Sequence, residues 1–261
     1  MGVTGSWVSI ILAACAVAGC ATGEATSTPG ASAPPAALPT SPAAPSAPPR
    51  AAPGPSPIQG RFVGGSSGES LTRLTPDPCD YVVVAVAAGT AKVAGEALAE
   101  GDEVILRYAS APLDVLTSGT ALVATVHHPC AIDDMPALSK HVLRAGTAAD
   151  LAWAGGAMHA HLDAEKDVSP DFYLGRLEGT GPVAEHSHAG AWEVLFAYQA
   201  AGTFTLDGHP QRLGGYGVVS VPPDTKHSWT PDPGSKLVAF QMYDPPGPEQ
   251  RFKALARDAA K

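Results

Sequence analysis

From residue 80 onward the chain is a succession of short apolar runs, each stopped by Gly, Pro or Asp. DYVVVAVAAG, GTAKVAG, DEVILRYA and TALVATVHH come first. DFYLGRLEG, AWEVLFAYQ, GTFTLDG, YGVVSVPP and KLVAFQMYDPP follow. These runs are rich in Val, Tyr and Phe, are bounded by turn residues and have the length of strands. The pattern predicts an all-β protein, an antiparallel sandwich or barrel. Only PEQRFKALARDAAK, at 248–261, reads as a helix, with Phe252, Leu255 and Ala256 on one face.

The two halves of this region are similar to each other. GTAKVAGEALAEGDEVIL (89–106) aligns with GTFTLDGHPQRLGGYGVVSV (202–221), and each is followed by a further apolar run, TALVATV or SKLVAFQM. A repeat on this scale predicts a duplicated barrel. Any two β-meanders share some of this pattern, which is the alternative.

The N-terminus belongs to no fold. WVSIILAACAVAG (7–19) is too short an apolar run for a membrane span and suits the apolar core of a signal peptide. It ends in Val17-Ala18-Gly19-Cys20, which resembles the bacterial lipobox. The resemblance implies that Cys20 is lipidated and becomes the first mature residue, with the leader and its lipobox spanning residues 1–20. LAAC (12–15) is a weaker candidate, and MGVTGS lacks the usual basic residue. A plain secretory signal or a short anchor helix is the alternative. Residues 21–57 are almost wholly Ala, Pro, Ser, Thr and Gly. Such a stretch cannot bury enough apolar area to fold, and its prolines keep it extended. It reads as a tether holding an exported domain off a membrane, in the periplasm or at the outer membrane. Beyond the leader only Cys79 and Cys130 remain. An even pair in an exported chain favours a disulfide; free thiols or metal ligands are the alternatives.

Formal net charge is −9 and the pI about 5.4, so there is no basic footprint for nucleic acid. There is no GxSxG, no Walker loop and no Rossmann fingerprint, which leaves hydrolase triads and nucleotide chemistry unsupported.

GPVAEHSHAGAWEVLFAYQAAG (181–202) carries the chemistry. Strand side chains alternate faces, so His186 and His188 point the same way, roughly 7 Å apart along a strand. The Ala189-Gly190-Ala191 bend lets Glu193, early in the next strand, face them. His227, in VPPDTKHSW, follows a Pro-rich turn. Three imidazoles and one carboxylate suit a divalent transition metal, Fe, Mn, Ni, Cu or Zn. Burying them unpaired would be costly.

This constellation resembles the cupin superfamily. Its first motif, G-x(5)-HxH-x(3,4)-E-x(6)-G, appears as Gly181, His186, His188, Glu193 and Gly202, with one residue fewer in the first gap and two more in the last. Its second, G-x(5)-P-x-G-x(2)-H-x(3)-N, appears as Gly217, Pro222, Asp224 and His227. Its first gap is one shorter, Asp224 stands in place of Gly, and Pro231 in place of Asn. The resemblance covers residues 171–244 and implies that His186, His188, Glu193 and His227 are the metal ligands. Over 62–246 it implies a bicupin: a degenerate N-terminal barrel (58–134), a metal-binding barrel (135–246) and a C-terminal helix (247–261). Aligning Gly89 on Gly202 puts Arg73, Thr75 and Asp80 where the first three ligands stand, with Asp114 near the fourth, so the first barrel should hold no metal. A homodimer through strand exchange at a barrel edge is compatible with the resemblance.

His159 and His161 form another HxH, without a carboxylate or third His at a useful spacing, and read as exposed strand residues. His127, His128, His141 and His209 fall at strand ends or turns. Trp192, Tyr198 and Trp229 could line a cavity or fill the core. Glu185 and His209 are the weak candidates for a general acid or base. Three functions follow: a metalloenzyme of oxidoreductase, isomerase or decarboxylase type acting on a small oxygenated molecule; a tethered small-molecule or metal-binding module; or an envelope protein whose metal only stabilises it.

Overall fold

The computed structural model describes residues 54–107, 112–129, 139–164 and 171–259. The expected leader with Cys20 and nearly all of the expected tether lie outside the described residues. Cys79 is disulfide-bonded; Cys130, the partner expected for it, lies outside the described residues. No described helix is long and apolar enough to cross a membrane.

A first sheet holds β1 (Ile58–Leu74), β2 (Tyr81–Val93), β3 (Glu96–Ala99), β4 (Glu103–Arg107), β5 (Leu113–Val126) and β6 (Ser139–Leu143). Its order is β1-β5-β2-β4-β6, with β3 on β2. The apolar runs do not announce β1, whose sequence IQGRFVGGSSGESLTRL is rich in Gly and Ser. It is extended because β5 pairs with it from Ile58 to Leu74, with a register shift between Gly65 and Glu69. Packing against a partner overrides weak strand propensity here. β6 lies past the expected boundary at 134/135, yet it pairs with β4 in this first sheet.

The rest of the chain forms β7 (Ala149–Trp153), β8 (Met158–Ala164), β9 (Tyr173–Gly179), β10 (Val183–His186), β11 (Trp192–Gln199), β12 (Ala201–Leu206), β13 (His209–Gly214), β14 (Gly217–Val221), β15 (His227–Pro231) and β16 (Leu237–Asp244). The helix α1 (Gln250–Ala259) closes the described chain. One sheet runs β14-β11-β16-β9-β8-β7; a four-stranded sheet runs β10-β15-β12-β13. The pairing is antiparallel throughout.

The two stretches aligned in sequence also turn alike. β2 and β3 are joined by Ala94-Gly95 at φ 49° and 80°, and β12 and β13 by Asp207-Gly208 at φ 48° and 77°. Positive φ at both central residues is the tight hairpin geometry whose twist matches that of its strands.

Alternation along β2, β11 and β16 sorts the core into layers. Tyr81, Val83, Ala85 and Ala87 of β2 pack with Val194 and Phe196 of β11 and with Phe240 and Met242 of β16. The other face of β2, Val82, Val84 and Val86, packs within the first sheet's own cluster. That is why VVVAV is buried without alternating with polar residues: both faces are covered. Leu195 and Ala197 of β11 and Leu237, Ala239 and Tyr243 of β16 face the other way, toward the four-stranded sheet. Glu193 and Gln241 share that inner face by the same two-residue period.

Candidate metal centre

Three strand ends and one loop carry the four side chains. β10 stops at His186, whose backbone pairs with His227 at the start of β15. The chain then leaves the strand, so His188 is not the regular second position that alternation alone predicts. The departure lets the imidazoles lean together: ring centroids of His186 and His188 are 4.9 Å apart, and those of His186 and His227 4.1 Å. β11 brings in Glu193, held between Val221 and Tyr243. Asp224, where the motif has Gly, adopts φ 59°, a left-handed conformation that Asp tolerates better than most residues. Its N–H donates to the His188 carbonyl at 2.7 Å, and its Oδ1 accepts from the Gly190 N–H at 3.3 Å. The His188 loop is thereby tied to the turn that delivers His227.

One ligand atom from each of His186, His188, Glu193 and His227 lies within 4.8 Å of all the others. Main-chain carbonyls set two tautomers. The His186 Nδ1–H donates to Ala184 O at 2.8 Å, and the His227 Nδ1–H donates to Thr225 O at 3.0 Å. A carbonyl only accepts, so the proton of each neutral ring sits on Nδ1 and the Nε2 lone pair is left for the centre. The His227 Nε2 lies 2.9 Å from Glu193 Oε2, yet it makes no hydrogen bond. The two atoms are close without being aimed at each other. That is the disposition of two ligands directed at a third point, and it is the observation that makes the set fit a cation. Gln241 supports the carboxylate, its Nε2 donating to Glu193 Oε1 at 2.6 Å.

The electrostatics agree. Burial pushes His186 down to about 4, and the neighbouring His227 adds to the drop, so His186 is neutral at pH 7. Burial would raise the Glu193 carboxyl, but the hydrogen bond to His188 and the closeness of the His188 and His227 rings hold it well below the carboxylate range. Burial alone would lower His227, and Glu193 raises it instead. A carboxylate only 2% exposed, with the Nε2 atoms of His188 and His227 at 3.1 and 2.9 Å, leaves negative charge in an apolar interior. A divalent cation compensates that charge.

The centre opens into a cavity of about 240 Å³ between the two C-terminal sheets. Leu177, Leu195, Phe204, Leu213 and Leu237 supply apolar wall, and Gln241, Tyr243, Ser228 and Arg251 the polar groups. Trp153 stacks on Phe252 of α1 at 5.2 Å, placing that helix along the cavity. Trp229 lines the space, whereas Tyr198 packs on Phe240 on the far face of the sheet.

No family model matches the chain, and no curated protein matches it. Solved structures do. An IolB-like protein from Salmonella typhimurium is 12% identical, with a TM-score of 0.53 over 73% of this chain and 84% of that one. A putative glyoxylate-induced protein from Pseudomonas aeruginosa is 12% identical, with a TM-score of 0.51 over 73% and 80%. The oxalate decarboxylase of Lactobacillus farciminis, solved with formate, is 10% identical, with a TM-score of 0.50 over 74% and 83%. The fold is a cupin jelly roll.

In this cupin fold the motif glycine Gly202 has a visible task. A Cβ there would run into the Trp229 ring and the Thr230 carbonyl. Gly202→Ala is expected to displace Trp229 from the cavity wall and to destabilise the chain by about 1–3 kcal/mol, the usual cost of overpacking. Denaturant unfolding followed by tryptophan fluorescence measures both effects; unchanged stability with an unshifted emission maximum would refute the close contact.

The other expected positions stay apart. Arg73 pairs with Asp114 at 3.0 Å on the surface, and Asp80 takes His127 at 2.9 Å. Among the described residues the His186 cluster is the one metal-competent group. His159 and His161 do have a carboxylate, contrary to expectation: Asp150 on the adjacent β7 lies 3.0 Å from His159 and 3.8 Å from His161. Strand pairing brings it there, which linear spacing does not show. Glu185 is exposed and pairs with Lys226 at 3.4 Å, and His209 is exposed; neither lines the cavity. The sequence reading missed Gln241, Tyr243 and Arg251. A Gln inside the apolar run LVAFQMYD, in step with Leu237 and Ala239, was a usable signal; Arg251 had none.

Proposed function

We propose that this chain is an exported, lipid-tethered cupin protein that holds one divalent transition metal ion on His186, His188, Glu193 and His227. We further propose that it acts as a metalloenzyme on a small oxygenated organic molecule. The observation that carries the metal reading is the convergence of four ligand atoms with His227 Nε2 close to Glu193 but not bonded to it. Bound there, such an ion would supply Lewis acidity toward a ligand oxygen, or oxygen activation in the case of iron. The chain's own residues support this. Gln241 fixes the Glu193 carboxylate, and the carbonyls of Ala184 and Thr225 fix the imidazoles. Tyr243, raised well above its ordinary value by burial and by Glu193, keeps its proton at neutral pH beside His188. The apolar walls keep bulk water from the ligand.

One observation favours a non-catalytic binding protein as the second reading. Among the described residues Glu193 is the only carboxylate in the cavity lining, and it is already committed to the centre, so they offer no separate carboxylate base. Turnover of any bound molecule separates the two readings. On either reading the first sheet is the metal-free half of a bicupin, which the matching hairpin turns support.

The metal test uses the full chain, purified without chelator or His tag, with bound metals quantified by mass spectrometry. About one equivalent is expected, lost in a His186→Ala/His188→Ala variant. A folded wild-type chain that takes up no Fe, Mn, Ni, Cu or Zn would overturn the proposal.

A further inference from the structure

Arg251 stands out among the cavity residues. It is the one cationic Lys or Arg side chain in the lining, carried on the first turn of α1. Its guanidinium makes no ion pair or hydrogen bond with any described residue. Some basic residues here find acids, as Arg212 does with Asp232 at 2.6 Å, Lys236 with Glu178 at 3.3 Å and Lys226 with Glu185 at 3.4 Å; what sets Arg251 apart is its place on the cavity. Arg251 also borders a second, more open hollow of about 350 Å³, lined by Ser187, Ala189, Ala191 and Pro245–Pro248, which shares His188 and Pro248 with the inner cavity. The guanidinium therefore sits where outer hollow and inner cavity meet.

Charge balance identifies what should meet it. On the reading of the centre given above, on which this inference rests, a divalent ion with Glu193 leaves one positive charge in the cavity, and the exposed Arg251 adds another at its mouth. Arg251 itself stays in contact with water at the mouth, so what favours an anion is the summed positive field of the guanidinium and the centre over a low-dielectric cavity, not the burial of the guanidinium. The guanidinium fork matches the two oxygens of a carboxylate. The inner cavity, about 240 Å³, lies below the usual range of drug-sized pockets, about 300–1,000 Å³, so the ligand is small. Leu177, Leu195, Phe204 and Phe252 leave most of its contact apolar. We propose that Arg251 is a specificity-determining residue, binding the carboxylate of a small acid whose apolar body fills the cavity between α1 and the His186–His188–Glu193–His227 centre.

The test compares an acid with its neutral isostere. 3-Phenylpropionate and 3-phenylpropionamide are titrated into the full chain by calorimetry, and the proton relaxation of each is read against Mn(II)-loaded protein. The acid is expected to bind about tenfold tighter than the amide and to show the stronger relaxation. Arg251→Gln should erase the preference with metal content unchanged; Arg251→Lys, with a point charge and no fork, should keep part of it. Equal binding of acid and amide, no binding of either, or acid binding unaltered in Arg251→Gln would overturn the proposal. Metal content is measured on the same samples. A chain that takes no metal yet prefers the acid through Arg251 would sustain the carboxylate subsite and overturn the metal reading alone.

Discussion

Glu193→Gln will fold and will bind its metal ion more than about 100-fold more weakly. The substitution keeps the shape of a side chain that is 2% exposed, so little packing is lost. It removes the one formal negative charge among the four ligands. A neutral amide is a poor ligand for a transition metal, and its NH2 group would face imidazole lone pairs instead of sharing a cation with them. Loss of a residue that merely orients a ligand typically costs 10–100-fold in affinity, so losing a ligand's charge should exceed that, by more than about 100-fold. Competition against a chromophoric chelator measures the change. Gln241 offers an internal comparison: it donates to Glu193 at 2.6 Å without belonging to the ligand set, so Gln241→Leu should fall in the smaller range, about 10–100-fold. If Glu193→Gln binds metal as tightly as the wild type, the carboxylate is not a ligand.

Phe240→Ala will cost about 3–5 kcal/mol of stability while leaving metal content intact. Phe240 is fully buried, between the first sheet and the β11–β16 pair, where it meets Tyr198 at 5.0 Å. Its removal leaves a void among Phe172, Phe196 and Met242, buried side chains on or just before paired strands. The neighbouring Gln241 points to the opposite face, toward Glu193. Denaturant unfolding and metal analysis on the same variant test both halves of the expectation. A loss below about 1 kcal/mol would refute the tight packing between the sheets, and a loss of metal would refute the independence of the two faces.

That independence explains what could be read from the sequence. The strands β2, β4, β5, β9, β11, β12, β14 and β16 were legible because their apolar runs end at turn residues, whereas β6, β7, β10, β13 and β15 carry no such run. The clustering of His186, His188, Glu193 and His227 was legible because the HxH, the Glu and the later His lie at spacings that a bent strand pair converts into proximity. β1 was hidden because Gly and Ser say little about extension, and only its pairing with β5 makes it a strand. The pairing of β6 with β4 and of Asp150 with His159 depends on which strands become neighbours, a non-local fact that no window of sequence contains. The convergence of the rings was legible in outline only. The expected same-strand spacing did not include the departure of the chain after His186 that brings the rings to 4.9 Å.

The carbonyls of Ala184 and Thr225 carry a consequence beyond tautomer choice. Many metal-binding imidazoles are oriented by a neighbouring carboxylate, which must itself be retained for the site to persist. Here the orienting acceptors for two of the three rings belong to the peptide backbone, two residues before each ring. Every amino acid supplies that carbonyl, whatever its side chain. Positions 184 and 225 can therefore drift freely, provided the chain keeps its course, and the imidazoles keep their aim. The centre demands a trace through space and four letters, and very little else of the text around them.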